Sequence, residues 1–164
     1  MIMNAPSNSK ITFARLSLIS PEEIAAHMSD PRLAEHMPLL EPVSWDLDAA
    51  TRFIASKERY WNRDGLGHWA ILCNDSYVGW GGFQKEGDEW DYGLVLKPDF
   101  FGLGGVITRQ ALAFARTDAR IPYVTFLLPP SRKNLGALNR LGAKFVKKTE
   151  HEGTTFLKYR LDTT

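Results

Sequence analysis

Three apolar segments between residues 68 and 97 limit the folds open to this chain. HWAILCN, YVGWGGFQ and EWDYGLVLK carry the near-alternating pattern of strands. Asn74-Asp75-Ser76 separates the first pair and Lys85-Glu86-Gly87-Asp88 the second, both hairpin turns by composition. Strands joined so closely make an antiparallel meander. Just before them the period changes to about 3.6. In LDAATRFIASKERYW, Leu47, Ala50, Phe53, Ile54 and Trp61 form most of one face, and Asp46 stands at the N-cap.

On the N-terminal side, ITFARLSLI (11–19) reads as a strand. Ser20 as N-cap, Pro21 at the first helical position and Glu22 and Glu23 against the helix dipole predict a helix to about His27. A second short helix is expected over about Pro31 to His36, then a loop around Pro38 and Pro42. On the C-terminal side, FFGLGG after Pro98 reads as a glycine-rich loop before a helix, VITRQALAFARTDA. YVTFLL is a strand stopped by Pro129-Pro130. Ser131 is read as the cap of a helix with Leu135, Leu138 and Leu141 on one side and Gly142 as a left-handed C-cap. KFVKKTEH and TTFLKYRL form a last hairpin around Glu152-Gly153. The order β, α, α, α, β, β, β, loop, α, β, α, β, β predicts an α/β (α+β) fold with a mixed sheet. With no linker, repeat or low-complexity tract, one domain over 1–164 is expected, with 1–9 as a tail.

Composition removes several alternatives. Among 164 residues, 44% are hydrophobic and 24% charged, enough to bury a core without disulfides or a structural metal. Cys73 stands alone and reads as a small buried strand residue, and no Cys or His set has metal-ligand spacing. A formal net charge of +1 gives no electrostatic reason to expect nucleic acid or an anionic membrane. No apolar run approaches the roughly 20 residues that span a bilayer, and MIMNAPSNSK lacks the pattern of a signal peptide. A soluble cytoplasmic protein is expected. His27 and His36 read as surface or substrate-rim residues, and His68 and His151 as solvated. Trp69, Trp80, Trp90 and Tyr92 read as core or cleft-wall aromatics, and Lys144, Lys147 and Lys148 as a solvated strand face.

The stretch 90–115 carries the chemistry. Gly102, Gly104 and Gly105 remove side chains at the mouth of a helix, where main-chain N–H groups and the helix dipole favour an anion such as a pyrophosphate. A Walker loop is excluded because no Lys-Ser/Thr pair follows. A dinucleotide fingerprint fits poorly, since the preceding strand belongs to a meander.

WDYGLVLKPDFFGLGG, with its acidic–x–Gly–aliphatic strand, Pro, aromatic pair and Gly-x-Gly loop, resembles the GNAT acetyltransferase superfamily. RLSLISPEEIAAHMSDPRLAEHMP and SRKNLGALNRLGAKF resemble the opening elements and closing helix of its RimJ/RimL branch, the ribosomal-protein N-terminal acetyltransferases. The resemblance spans about residues 10–162. It implies a mostly antiparallel sheet splayed in the middle, flanked by helices, with acetyl-CoA as cosubstrate and no metal. It assigns the pantetheine arm to the main chain of Leu94, Val95 and Leu96, and the pyrophosphate to the amides of Phe101, Gly102, Leu103, Gly104 and Gly105. Asp91, at the family's acidic strand position, becomes the candidate base, with Glu89 second. Ser131 and Asn134 become candidates to meet CoA and its departing thiolate.

Three positions differ from the family pattern. The Arg or Gln three residues before the central glycine is Phe101 or Asp99 here, depending on which glycine is central. Ser131 stands where Asn opens the closing helix, and Leu138 where many relatives carry a Tyr acid. The implied activity is acetyl transfer to a primary amine, on a protein or peptide N-terminus or a small molecule, by direct attack in a ternary complex. The alternatives are an antibiotic or polyamine acetyltransferase and a non-catalytic acetyl-CoA binder. The oligomeric state is open, a homodimer included.

Overall fold

The computed structural model describes residues 9–34, 44–131 and 135–164. They fall into two compact units, Met1–Gly82 with Leu94–Gly104, and Phe83–Gly93 with Gly105–Thr164. The expected second-helix end and loop around His36, Pro38 and Pro42, the tail over 1–8, and Asn134 lie outside the described residues.

In the first unit, β1 (Ile11–Arg15) is shorter than the strand expected over 11–19, because Leu16–Leu18 turn as a 3-10 helix. Tertiary contacts override the local pattern. Leu16 is fully buried, Arg15 pairs with Glu58, and the Ser17 N–H donates to Glu58 Oε1 at 3.3 Å. Helix α1 (Pro21–Met28) starts as its sequence dictates, with Ser20 Oγ accepting from the Glu23 N–H. A four-residue helix, α2, spans Pro31–Ala34. Helix α3 (Leu47–Asp64) is capped by Asp46, whose Oδ1 accepts from the Ala49 N–H at 2.8 Å. Each such cap stabilises its helix by about 1 kcal/mol. The helix runs past Trp61 to Gly65, which ends it at φ 76°. Leu47, expected on the buried face, is 51% exposed at the open first turn, whereas Ala50 is fully buried.

Strands β2 (His68–Cys73) and β3 (Ser76–Glu86) are joined by Asn74 and Asp75, both at positive φ as a two-residue hairpin requires. Their register shifts between Ile71 and Leu72, which makes Val78 a bulge. Two glycines of β3 are needed by the fold itself. At Gly82, φ is +125° and a Cβ would meet the Trp69 ring at 2.6 Å. At Gly79 a Cβ would stand 2.5 Å from the Val95 carbonyl oxygen. Leu16, Ile24, Met28, Leu33, Ala50, Ala70, Tyr77, Trp80 and Val95 form the core of this unit.

Strand β4 (Glu89–Leu96) follows a turn narrower than expected, since Lys85 and Glu86 remain in β3 and only Gly87 and Asp88 reverse the chain. In the second unit, helix α4 (Gly104–Thr117) buries Ile107, Ala111, Leu112 and Ala115 along one face. Strand β5 (Tyr123–Leu128) pairs in parallel with β4 at Trp90↔Val124 and Asp91↔Thr125. Helix α5 (Gly136–Leu141) ends at Gly142 with φ 88°. Strands β6 (Lys144–His151) and β7 (Thr154–Asp162) form the last hairpin, with Glu152 and Gly153 at positive φ. Among the described residues seven strands are hydrogen-bonded in the order β1-β2-β3-β4-β5-β7-β6, mostly antiparallel, as the α/β reading requires. Lys144, Lys147 and Lys148 face solvent as expected.

Candidate active site

The parallel pair Asp91↔Thr125 sets the central contact. Thr125 Oγ1 donates to Asp91 Oδ1 at 2.9 Å. Asp91 is largely buried, and burial pushes its carboxyl up to about 7, against the Thr125 hydrogen bond, which lowers it. The negative charge of Glu86 adds to the rise, while His151 and Lys158 oppose it. Glu89 lies two residues earlier on the same strand face, and its surroundings differ. It accepts hydrogen bonds from Lys158 Nζ and, at 3.0 Å, from Tyr123 Oη. The Lys158 contact, followed by that of Tyr123, holds it below the usual carboxylate range. One carboxylate is therefore locked in an ion pair and the other sits near neutrality. Such a divergence separates a structural from a proton-transferring role.

Tyr92 points to the opposite face of β4. Its ring lies 5.4 Å from that of Phe83 and 5.7 Å from that of Phe126, and its hydroxyl is 2.9 Å from Thr108 Oγ1. Burial pushes this phenol up to about 12, too weak an acid to protonate a thiolate whose conjugate acid has a pKa of about 8.5. Leu138, at the family's Tyr position, is buried in α5.

The expected glycine-rich loop is helical instead. Pro98–Leu103 form a 3-10 turn that runs into α4. Gly104 has φ −54° and ψ −41°, and its N–H donates to the Phe101 carbonyl. A Cβ on Gly102 would meet nothing within 4 Å, and one on Gly104 only Leu96 Cδ1 at 3.9 Å and Leu94 Cδ2 at 4.0 Å, both ordinary contacts. Neither backbone angle nor packing requires these glycines, in contrast to Gly79 and Gly82. Their effect is to leave the helix start bare. Phe101 and Val106 beside it are 41% and 37% exposed. Asp99 is bonded by Arg32 at 2.9 Å. Leu103 is buried, as are Val95 and Leu96, and Leu94 is half-buried.

Several expectations need correction. Ser131 is exposed in a turn five residues before α5, and Leu135 precedes the helix with no side-chain cap. A capping side chain must reach the N–H of the second or third helical residue, so Ser131 does not cap α5. His27 and His68 are buried, not solvated. His27 Nδ1 is 2.7 Å from Tyr77 Oη, and burial lowers its pKa to about 4. His68 Nδ1 is 3.0 Å from Lys57 Nζ, and burial lowers it well below its ordinary value. Trp69, Trp80 and Trp90 are buried, and Cys73 is half-buried at the end of β2. Thr125 was missed from sequence, because only strand register brings it against Asp91. Among the described residues no group of His, Cys, Asp and Glu is placed to hold a metal, and no helix is long and apolar enough to cross a membrane.

A family model for the acetyltransferase (GNAT) domain matches residues 14–144. No curated protein is significantly similar to the chain in sequence. Among solved structures, RimL, a ribosomal L7/L12 α-N-protein acetyltransferase in complex with coenzyme A, superposes with a TM-score of 0.74 at 14% identity, covering 96% of each chain. An acetyltransferase from Agrobacterium tumefaciens gives 0.70 at 18%, covering 97% of this chain and 96% of that one. An N-acetyltransferase from Staphylococcus aureus gives 0.67 at 12%, covering 96% and 100%. At these identities the structural likeness speaks for the fold, and the family follows from the match over 14–144: the chain belongs to the GNAT acetyltransferase family and is an acyltransferase.

Proposed function

We propose that this protein transfers an acetyl group from acetyl-CoA to a primary amine, with Asp91 as the base and peptide or protein N-termini as the acceptor class. The observation that carries the reading is the Asp91 carboxyl, largely buried on β4 and held by Thr125, where burial pushes its pKa up to about 7. An ammonium group has no lone pair, so acyl transfer needs an acceptor for its proton. A carboxylate that ionises near 7 is almost matched to an α-ammonium group of pKa about 7.7–8.0. From a lysine-type ammonium of pKa about 10.4 the same transfer is less favourable. This difference favours an N-terminal acceptor over a polyamine or lysine. RimL, whose fold this chain shares, is an α-N-protein acetyltransferase, which supports the same acceptor class.

The residues fit an acyl-CoA donor. The bare helix start at Gly102–Gly105 suits a diphosphate, and the main chain of Leu94–Leu96 continues β4 beyond its last pair with β5, where a pantetheine amide finds peptide partners. Acetyl-CoA, when bound, supplies an activated acetyl thioester. Asp91 takes the amine proton directly or through one water, and the N–H of Val95 is the proposed donor to the developing oxyanion. One domain over 1–164 in the cytoplasm, acting without nucleic acid or membrane, completes the reading.

Thiol release from acetyl-CoA tests it on paired peptides, one with a free α-amine and no lysine, the other α-blocked with one lysine. A higher kcat/KM for the free α-amine is expected. Equal or reversed preference removes the N-terminal assignment, and no release across a wide amine panel removes the base assignment with it.

A further inference from the structure

We propose that Arg109 supplies the positive charge for the diphosphate of the acyl-CoA donor, in place of the basic or amide side chain that the glycine segment lacks. The inference rests on the acetyl-CoA reading above. Arg109 lies one turn into α4, and its Nη1 comes within 3.5 Å of the point where a Cβ on Gly105 would stand. Helical side chains lean toward the N-terminus, so the guanidinium is folded back over the first turn.

That is the wrong end of a helix for a cation. The N-terminal turn carries partial positive charge, which favours anions and repels a guanidinium. The first turn of α4 holds no acidic residue to compensate. Among the described residues Arg109 has no hydrogen bond or ion pair, and Asp99, in the 3-10 turn that precedes α4 in the chain, is bonded by Arg32. Two positive features thus converge on a helix start stripped of side chains. A dianionic diphosphate relieves both, and the planar fork of arginine suits its oxygens. Phe101, one of the two positions where the family pattern places Arg or Gln, has no donor on its side chain. The other, Asp99, carries the opposite charge.

The test is binding calorimetry of CoA, 3′-dephospho-CoA and S-acetylpantetheine to the full chain and to Arg109→Gln. Arg109 is exposed, so the variant should fold, and Arg109→Lys serves as a partial rescue. The expected result is an affinity loss of about tenfold or more for CoA and for 3′-dephospho-CoA, with S-acetylpantetheine unchanged. In kinetics, KM for acetyl-CoA rises while kcat at saturation stays within about twofold. Loss confined to CoA assigns Arg109 to the 3′-phosphate and overturns the diphosphate role. Equal loss for all three ligands, or none for CoA, overturns any phosphate role. If the unaltered chain binds neither CoA nor acetyl-CoA, the acetyl-CoA reading itself falls, a result distinct from a silent Arg109 variant.

Discussion

Replacing Asp91 by Asn should make the protein more stable and less active at the same pH. The folded carboxyl ionises near 7, against an ordinary value of 3.8. The folded state therefore holds a proton over a window in which the open chain has lost it, and stability drains away as pH rises from about 4 to about 7. At about 1.4 kcal/mol per pH unit the full cost of ionising Asp91 in place is roughly 4 kcal/mol. Residual solvent contact lowers this, so roughly 2–4 kcal/mol is expected. Asn keeps the shape and still accepts from Thr125 Oγ1 but carries no charge to desolvate. Urea denaturation at pH 5 and pH 8 should show Asp91→Asn gaining roughly 2–4 kcal/mol relative to the unaltered protein at pH 8 and much less at pH 5. Over the same range kcat should fall by roughly 10²–10⁴, with the deficit shrinking in alkali as free amine accumulates. The parallel change Glu89→Gln should cost stability through Lys158 and Tyr123 and leave the rate profile in place. A stability difference for Asp91→Asn that does not change with pH, or an unaltered kcat across the range, would refute the reasoning.

Thr125→Val removes the hydrogen bond that holds Asp91 down, so the acidic limb of the rate–pH profile should move alkaline by about one unit; an unmoved limb would mean that the bond is not formed in the working enzyme. Gly104→Val should fold normally, since φ is −54° and the nearest atom is an ordinary 3.9 Å away. It should bind CoA at least about tenfold more weakly, and undiminished affinity by calorimetry would show the bare helix start to be unrelated to the donor. His27 has a folded pKa of about 4 against an ordinary 6.5, so its contribution is present above 6.5 and lost as pH falls toward 4. His27→Gln should flatten that part of the acid-unfolding curve by up to roughly 3 kcal/mol, and an unchanged acid limb in a urea series would count against a buried neutral imidazole.

Features written in short local signals were legible in the sequence. Ser20 and Asp46 at helix starts, Gly142 at a helix end, and the turns at Asn74-Asp75 and Glu152-Gly153 each depend on a few neighbouring residues, and the structure has them all. Readings failed where a distant partner decides. Leu16–Leu18 left the strand for contacts with Glu58, and His27 and His68 were drawn inside by Tyr77 and by Lys57. The glycine segment at 102–105 was mistaken for a loop because glycine signals freedom of backbone, whereas here it is helical and its use is the absent side chain. At the candidate site, Asp91 was reachable from the motif around it. Thr125 and the ion pair that sets Glu89 apart were not, since both arise from strand register across more than thirty residues.

Gly79 also bears on how this chain can drift. Any larger residue there would push into the Val95 carbonyl and the Leu96 Cα, 2.5 and 2.8 Å from a would-be Cβ. Position 79 therefore fixes from behind the depth of the strand segment assigned to the donor arm. A saturation library at 79 should return almost only glycine, while one at Gly102, equally glycine today, should fold with many residues. Survival of fold and survival of donor binding would then be selected at different positions, and a variant catalogue scored for both would separate the glycines kept by architecture from those kept by chemistry.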